Sequence, residues 1–474
     1  MLQSQNVNWP FLFIPAALCL LLILFGGICA VAAALLLKQT KRTATTRPGD
    51  YSPPPVTGPE KDGARRPRWR TVVSLCLLAV SGVTGLAGLA GLWATRFSIG
   101  WAQNSPSEWS DGRAPELEPL IRKHCIPFLN AGKSVGMAVA VVTPTNTTIM
   151  TFGRPALSSG ASVRPDTFFE IGSITKTFTG MALARAIERG VMRLDQPVQE
   201  LLPARVELPE AARAITLRHL TSHSSGFPRL PADSSLLDSF AMVLFGSDPY
   251  AGYTEAALLE DVRKVELDFR PGTKASYSNF GMFLLGHLLA TKAGCSYGEL
   301  VKRDVCGPLG MNDTTVTIPP DQTCRVAQGY RAALRCGPLL LCLRSVPWFE
   351  ENDLGGAGAL RSTGADLLKY LQANMRPEGH PLEHAIRESH RELFREDDRT
   401  AYGMNWVRTE GQTLKQLVLW HNGGTGGFSS FLGFAERSRV GVLMLSNSSE
   451  SVDDLATELL RDLAAAAGQV GIAP

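Results

Sequence analysis

The sequence predicts an α/β (α+β) fold, an antiparallel sheet built from both chain ends and flanked by helices, preceded by two transmembrane helices. Residues 136–153 contain two β-rich runs around a Pro-Thr-Asn turn, which is the pattern of a hairpin. Three more strand-like runs lie within 416–447, and an amphipathic pattern over 451–467 predicts a closing helix. The mostly helical middle, from about 175 to 400, is interpreted as an inserted helical subdomain.

Two apolar runs precede this domain. Residues 11–37 form a run of 27 residues without a charge, and residues 71–94 form an apolar run of 24. A helix needs about 20 such residues to cross a bilayer, so both runs are predicted to span a membrane. Two alternatives stay open: the first run is a cleaved signal peptide, or only one of the two runs spans.

The Pro-rich loop 38–70 decides the expected orientation. It carries nine basic and three acidic side chains, a local charge of +6. The positive-inside rule places such a short loop in the cytoplasm, so the domain that follows is expected to be extracellular or lumenal. Sequons at Asn146, Asn312 and Asn447, and six cysteines beyond the apolar runs, agree with a glycosylating and oxidising compartment.

The chain therefore divides into segments with distinct expected roles. A short N-terminal tail, the two apolar segments and their loop come first, and a polar spacer follows. The predicted α/β domain comes next, and a short C-terminal tail ends the chain. The remaining boundaries are 1–10 for the first tail, 95–114 for the spacer, 115–467 for the domain and 468–474 for the last tail.

Composition excludes several classes of function. The 474 residues carry 47 Lys and Arg against 44 Asp and Glu, a net charge of +3, so no nucleic-acid partner is expected. The nine cysteines contain no C-x-x-C pair, and no metal and no cofactor are expected. An H-x-x-E-H string, His380 to His384, lies in a stretch rich in Arg and Glu with a proline inside it, which favours a solvated segment over a zinc site.

The strongest chemical signal is an S-x-x-K pattern formed by Ser173 and Lys176 at a predicted helix start. Residues at i and i+3 share one face of a helix. Helix N-termini offer unpaired N–H groups that can stabilise an oxyanion, and burial lowers the pKa of a lysine so that it can accept a proton. The pattern alone is common, and in most chains that carry it an N-cap serine beside an exposed lysine explains it.

Two further patterns follow along the chain. Tyr277-Ser278-Asn279 stands between a Pro-Gly turn and an apolar helix, and His421-Asn422-Gly423 ends a strand-like run. With Ser173 and Lys176 these resemble the signatures S-x-x-K, Y-x-N and K/H-x-G of the serine β-lactamase-related superfamily, in its class C-like, penicillin-binding and esterase branch. The strings LRHLTSHSSGF and GGAGALRSTGADLLKYL resemble other family segments, and the resemblance covers about 115–465.

This resemblance implies a β-lactamase/transpeptidase-like fold and a division of roles. Ser173 would be the acylated nucleophile, and Lys176 with Tyr277 would transfer protons. Asn279 would hold Lys176 and the amide side of the substrate. The backbone N–H groups of Ser173 and Gly424 would form the oxyanion hole, at the glycine pair that Gly424 makes with Gly423.

One position departs from the family pattern. Members that hydrolyse penicillins usually carry lysine where this chain has His421. Imidazole, with a pKa near 6.5, is mostly neutral at pH 7, whereas an ammonium is a permanent cation for a substrate carboxylate. The histidine therefore argues for an ester or amide substrate and against efficient β-lactam hydrolysis. His219 and His223, nearby in LRHLTSHSSGF, are expected to be structural.

The sequence thus predicts a membrane-anchored serine hydrolase that acts through an acyl-enzyme on an ester, amide or peptide. Its expected partners are a small-molecule or peptide substrate and the membrane. Two alternatives stay open: a catalytically weak or inactive fold that serves as a binding module, and an oligomeric structural role. The presence of all three motifs counts against an idle site.

Overall fold

The computed structural model describes residues 107–231, 250, 252–336, 339–346, 348, 354–410 and 416–469. Both apolar runs, 11–37 and 71–94, and the basic loop between them lie outside these residues. Within the described part, none of the helices combines the length and the apolar character that crossing a bilayer requires.

Strands from both ends of the domain form one antiparallel sheet. In chain order the described strands are β1 (Glu108–Ser110), β2 (Gly136–Val142), β3 (Thr147–Gly153), β4 (Phe168–Glu170), β5 (Gly329–Cys336), β6 (Leu339–Val346), β7 (Arg361–Thr363), β8 (Phe394–Arg395), β9 (Thr400–Tyr402), β10 (Val407–Glu410), β11 (Leu417–Gly424), β12 (Ser429–Ala435) and β13 (Val440–Ser446). Nine of them make the main sheet, in the order β1-β3-β2-β13-β12-β11-β10-β9-β8. The prediction of a sheet assembled from both termini is confirmed.

Helices cover the sheet and fill the middle of the chain. In chain order the described α-helices are α1 (Glu118–Asn130), α2 (Thr175–Glu188), α3 (Leu217–Thr221), α4 (Glu255–Lys264), α5 (Asn279–Ala293), α6 (Tyr297–Val301), α7 (Gly364–Met375), α8 (Glu383–His390) and α9 (Asp453–Gln469). Helix α9 is the predicted closing helix, displaced by two residues at each end.

The alternating side chains of β2 separate two apolar cores. Met137, Val139 and Val141 pack into a cluster with α1 and α9 on one face of the sheet. Ala138 and Ala140 belong to the larger cluster on the other face, which α2, α5 and α7 share. All seven residues of β2 are buried, because a strand between two helical layers has no face left for solvent.

Two features of the fold differ from the expectation. The segment expected to be a spacer contributes β1, which pairs with β3 from Glu108↔Phe152 to Ser110↔Met150 at the edge of the sheet. The middle of the chain contains the hairpin of β5 and β6 besides its helices. Both depend on backbone pairing that side-chain periodicity does not report.

The structure corrects the expectation for one sequon. Asn447 is fully buried. Its side-chain oxygen accepts the N–H of Gly136 at 2.7 Å, and its nitrogen donates to the carbonyls of Arg154 and Pro155. A glycan on this amide would have to displace all three bonds, so Asn447 is not a site for one in the folded domain. Asn312 is exposed and Asn146 half-exposed.

The four cysteines whose side chains are described carry free thiols. Cys125 and Cys306 are buried, Cys295 is half-buried and Cys324 is exposed. Burial raises the pKa of the Cys125 thiol to about 12, so this side chain behaves as a small apolar core residue.

Candidate active site

The site forms where α2 begins against one end of β11. Strand β10 pairs with β11 only from Leu417 to Trp420, whereas β12 pairs with it as far as Gly424. Segment 171–173 packs against this end of the sheet, where Ser430 of β12 donates its hydroxyl to the Ile171 carbonyl at 2.8 Å. The sheet thereby fixes the position of the turn that carries Ser173.

Glycines allow segment 171–173 to approach the end of β11 closely. Gly172 has a left-handed φ of 50°, and a Cβ on it would lie 2.7 Å from the Gly424 nitrogen and 2.9 Å from the Gly424 oxygen. A Cβ on Gly423 would collide with the Ile171 carbonyl. Backbone therefore packs directly on backbone at the two predicted glycine positions, and a residue with a side chain would separate the two elements.

Three predicted catalytic side chains meet at one oxygen. Ser173 lies in a 3₁₀ turn, Gly172–Ile174, that leads into α2. The Ser173 Oγ is 3.1 Å from Lys176 Nζ and accepts the Tyr277 hydroxyl at 2.6 Å. Ser173 and Tyr277 are half-buried.

Lys176 is fully buried. Its Nζ donates to the Ala357 carbonyl at 2.5 Å, and neither of its two hydrogen-bond partners among the described residues is an anion. Burial, and then the nearby Arg229 guanidinium, hold the pKa of Lys176 well below its ordinary value of 10.5. The amine is therefore suited to accept a proton from Ser173.

Tyr277 has the opposite electrostatic character. Burial raises the pKa of its phenol, and the hydrogen bond to Ser173 only partly opposes that effect. The phenol therefore stays protonated and can donate. Lys176 Nζ lies 4.7 Å, and the Arg229 guanidinium 5.0 Å, from the centre of its ring.

The structure gives Asn279 a different partner from the one the resemblance implied. Its side-chain amide donates to the Tyr250 hydroxyl at 2.6 Å. Among the described residues, the amine of Lys176 is held by the Ala357 carbonyl instead. Asn279 is the first residue of α5, after the cap Ser278.

His421 is buried, with 2 % of its surface exposed. Its Nδ1–H donates to the Asn422 carbonyl at 2.6 Å, while Nε2 is buried without a hydrogen-bond partner in the described part of the chain. Burial, together with Lys176, lowers the pKa of His421 to about 3. The imidazole is therefore neutral at pH 7 and offers a substrate no charge.

Three residues that sequence reasoning did not assign to the site also lie there. Ala357 holds the lysine through its backbone, and no sequence pattern reports a carbonyl. His223, expected to be structural, has a left-handed φ of 57° and its ring centre lies 4.6 Å from that of Tyr277. Arg229 follows the segment that resembles the family, but a lone arginine there carries no signal.

His219 does act structurally, since its Nδ1 accepts the Thr216 N–H at the start of α3.

The H-x-x-E-H string lies on the surface. Glu383 forms an ion pair with Arg387, one turn further along α8, and accepts the Gly379 N–H. In the part of the chain that the structure describes, no group of three His, Cys, Asp or Glu side chains is arranged to hold a metal ion.

Comparison with known proteins adds a family match. Residues 121–467 match the model of the Beta-lactamase family. The chain is 26% identical over 366 residues to a beta-lactamase of Yersinia enterocolitica, which covers 70% of this chain and 84% of that protein. It is 25% identical over 359 residues to the D-alanyl-D-alanine-carboxypeptidase/endopeptidase AmpH of Escherichia coli, covering 70% and 86%.

Solved structures support the same fold. The octameric penicillin-binding protein homologue from Pyrococcus abyssi matches with a TM-score of 0.61 and 24% identity, covering 74% of this chain and 77% of that one. A beta-lactamase/D-alanine carboxypeptidase from Pseudomonas syringae matches with a TM-score of 0.61 and 20% identity, covering 76% and 100%.

The glycine contact predicts the effect of one added methyl group. Gly172→Ala should destabilise the chain by more than the roughly 1–2 kcal/mol that a left-handed alanine costs, because the methyl also collides with Gly424. Gly190→Ala is the matched control, since Gly190 has a φ of 70° and no described atom lies within 4 Å of the place that its Cβ would take. Urea unfolding measures both variants, and equal losses would contradict the contact.

The pKa directions predict how the reactivity of Ser173 depends on pH. With Lys176 as the predicted base, only its neutral amine can accept a proton, so the rate of reaction with a fluorophosphonate should rise with pH as Lys176 loses its proton. The midpoint should lie well below 10.5, because the pKa of Lys176 is lowered. His421→Gln should leave this limb in place, because His421 is already neutral across about pH 5–8. A rise in the labelling rate with a midpoint near pH 6.5 that disappears in His421→Gln would contradict the assignment of this rise to Lys176.

Proposed function

Because the chain belongs to the beta-lactamase family, we propose that it is a hydrolase that forms an acyl-enzyme at Ser173. The observation that carries this proposal is the convergence on one oxygen: Lys176 Nζ at 3.1 Å and the Tyr277 hydroxyl at 2.6 Å from Ser173 Oγ. One group is electrostatically suited to accept a proton and the other to donate one. Those are the two roles that acyl transfer needs.

In the first step, Ser173 Oγ bonds to the acyl carbon as its proton passes to Lys176. The resulting negative charge lies on the former carbonyl oxygen. The N–H groups of Ser173 and Gly424 are proposed to receive it, at the helix start and at the exposed last residue of β11. The missing side chain at Gly424 leaves that backbone open to a substrate.

In the second step, the bond to the leaving group breaks. The proton held by Lys176 returns to the departing alcohol or amine, with the Tyr277 hydroxyl beside Oγ as the neighbouring donor. Water then attacks the acyl-enzyme, its proton passes to the same amine, and Ser173 is restored with release of the carboxylic acid. Each proton transfer passes through Lys176, whose Nζ lies within hydrogen-bond distance of Ser173 Oγ.

The substrate is proposed to be an ester, an amide or a peptide. AmpH of Escherichia coli is named as a carboxypeptidase and endopeptidase, and the protein from Yersinia enterocolitica as a beta-lactamase. A neutral His421 supports weak rather than efficient β-lactam hydrolysis here. The alternative of an inactive binding module is less favoured, because the contacts of Lys176 and Tyr277 with Ser173 Oγ are both present.

We also propose a membrane anchor formed by residues 11–37 and 71–94, with the domain extracellular or lumenal. Its support is the charge pattern: two apolar runs on either side of the +6 loop 38–70. The octameric homologue from Pyrococcus abyssi makes self-association a further proposal for this chain, which light scattering of the detergent-solubilised protein would test.

Covalent labelling tests the proposed reaction. Ser173→Ala should abolish both ester turnover and labelling by a fluorophosphonate, because the variant lacks the attacking oxygen. Lys176→Ala should lose turnover to a comparable extent, since nucleophile and base act as a unit. Ser158→Ala, a change at an exposed serine, is the control and should label like the wild type.

Intact-protein mass spectrometry, with mapping of the labelled peptide, reads out this experiment. An adduct on a residue other than Ser173, or equal labelling of Ser173→Ala, would contradict the mechanism. The absence of any adduct across several probe classes would favour the binding module instead.

The proposed location predicts which sequons carry glycans. The exposed Asn312 and the half-exposed Asn146 should account for the mass that a glycosidase removes, and Asn447 should contribute none because its amide is buried. Asn312→Gln and Asn146→Gln should each remove one glycan. Asn447→Gln should instead lower stability, since it disturbs three hydrogen bonds. A folded domain without glycosidase-sensitive mass would contradict the lumenal location.

A further inference from the structure

A positively charged side chain, Arg229, lies beside the candidate site. Arg229 is exposed, and its guanidinium carbon lies 5.0 Å from the centre of the Tyr277 ring. Its backbone carbonyl accepts the N–H groups of Asn279 and Phe280, at 2.9 and 3.4 Å. The backbone of Arg229 is thus tied to the start of α5, two residues from Tyr277.

This guanidinium is not neutralised by the part of the protein that the structure describes. Some other arginines are paired, for example Arg218 with Asp195 at 2.6 Å and Arg325 with Asp313. No carboxylate among the described residues lies within ion-pair distance of Arg229. An exposed guanidinium over the Tyr277 ring, with no such carboxylate on it, is available to a ligand.

The other basic groups around Ser173 do not supply a charge. Lys176 is buried against a carbonyl and a hydroxyl, and its function as a base requires the neutral amine. His421, at the position where the resemblance implies a lysine for a substrate carboxylate, is buried with its Nδ1–H committed to a backbone carbonyl. Among these groups, Arg229 is the one that presents a fixed cation to the opening.

We propose that Arg229 is a specificity-determining residue that binds a carboxylate on the acyl substrate, so that this site prefers esters or amides bearing an anionic group. A guanidinium presents two parallel N–H donors to a carboxylate, a match that a neutral imidazole cannot make. The proposal rests on the proposed acyl transfer at Ser173. Because Arg229 and Ser173 Oγ both contact Tyr277, the carboxylate would lie a few bonds from the acyl carbon.

A second role for Arg229 has to be separated from this one. A cation above an aromatic ring attracts the ring. In this second role, Arg229 would position Tyr277 and bind no substrate carboxylate. Loss of such positioning would slow every substrate alike. Loss of anion binding would slow only substrates that carry the carboxylate, so a matched pair of esters distinguishes the two roles.

The experiment uses the full chain in detergent and two chromogenic esters. One is the para-nitrophenyl monoester of glutarate, which ends in a free carboxylate, and the other is its methyl-capped, neutral counterpart. The measured quantity is the ratio of kcat/KM for the anionic ester to that for the neutral ester, corrected for spontaneous hydrolysis. Arg229→Gln and Arg229→Lys are compared with Arg205→Gln, which removes an equal charge from an exposed position elsewhere.

Arg229→Gln should lower this ratio by about tenfold or more, the size expected for a lost hydrogen bond to a charged group. Arg229→Lys should restore part of it, and Arg205→Gln should leave it unchanged. In the wild type the ratio should also fall as salt rises from about 0.05 to 0.5 M, because an exposed ion pair is screened. An equal loss for both esters in Arg229→Gln, or a ratio that does not respond to it, would overturn the proposal.

A binding measurement separates failure of this proposal from failure of the proposed reaction. Monomethyl glutarate is titrated calorimetrically into Ser173→Ala and into Ser173→Ala with Arg229→Gln. If the affinity depends on Arg229 but the wild type turns over neither ester, the proposed acyl transfer is contradicted and the anion site is retained. If the wild type turns over the neutral ester but monomethyl glutarate binds the two Ser173→Ala proteins equally, the anion site is contradicted and the acyl transfer is retained.

Discussion

Burial of one amine without an anionic partner is the constraint on which this site depends. Lys176 is inaccessible to solvent, and the Ala357 carbonyl and the Ser173 hydroxyl are its hydrogen-bond partners in the described structure. Ionising an amine in such a place is unfavourable, since nothing replaces its lost hydration. The fold therefore stabilises the neutral form, which is the form that can accept a proton. A carboxylate partner would hold the same lysine charged and remove the base.

The sheet supplies the rigidity that this burial needs. β11 ends in a glycine pair, and the segment that carries Ser173 lies directly on it. That contact requires strands from the C-terminal part of the chain to be in place beside a turn near residue 172. Much of the sheet follows from local patterns: the hairpin 136–153, the three late strands and the closing helix each have a clear period. The hairpin 329–346 does not, because its pairing has an irregular register that no alternation of side chains reports.

The candidate site divides in the same way between what spacing can predict and what it cannot. The i, i+3 relation of Ser173 and Lys176 is fixed by helical geometry, so their proximity follows from sequence. That Tyr277 reaches the same oxygen follows only from the resemblance. The carbonyl that holds Lys176 and the left-handed φ of Gly172 arise from tertiary contacts. The sequence placed Asn279 in the site but did not predict its hydrogen-bond partner, the Tyr250 hydroxyl. The direction of a side chain at a helix start depends on what packs against it.

The placement of positive charge is what most separates this site from the pattern it resembles. A cation on a buried strand would be strongly desolvated and would act at close range on both the lysine and a ligand. A guanidinium on an exposed segment is hydrated and screened, so its attraction for an anion is weaker and more sensitive to salt. It still lies close enough to lower the pKa of Lys176, although burial is the larger cause. Under the proposed roles, one charge would therefore act on the base and on the ligand together. An anion that binds Arg229 would offset part of that charge and raise the basicity of Lys176 when a substrate is present.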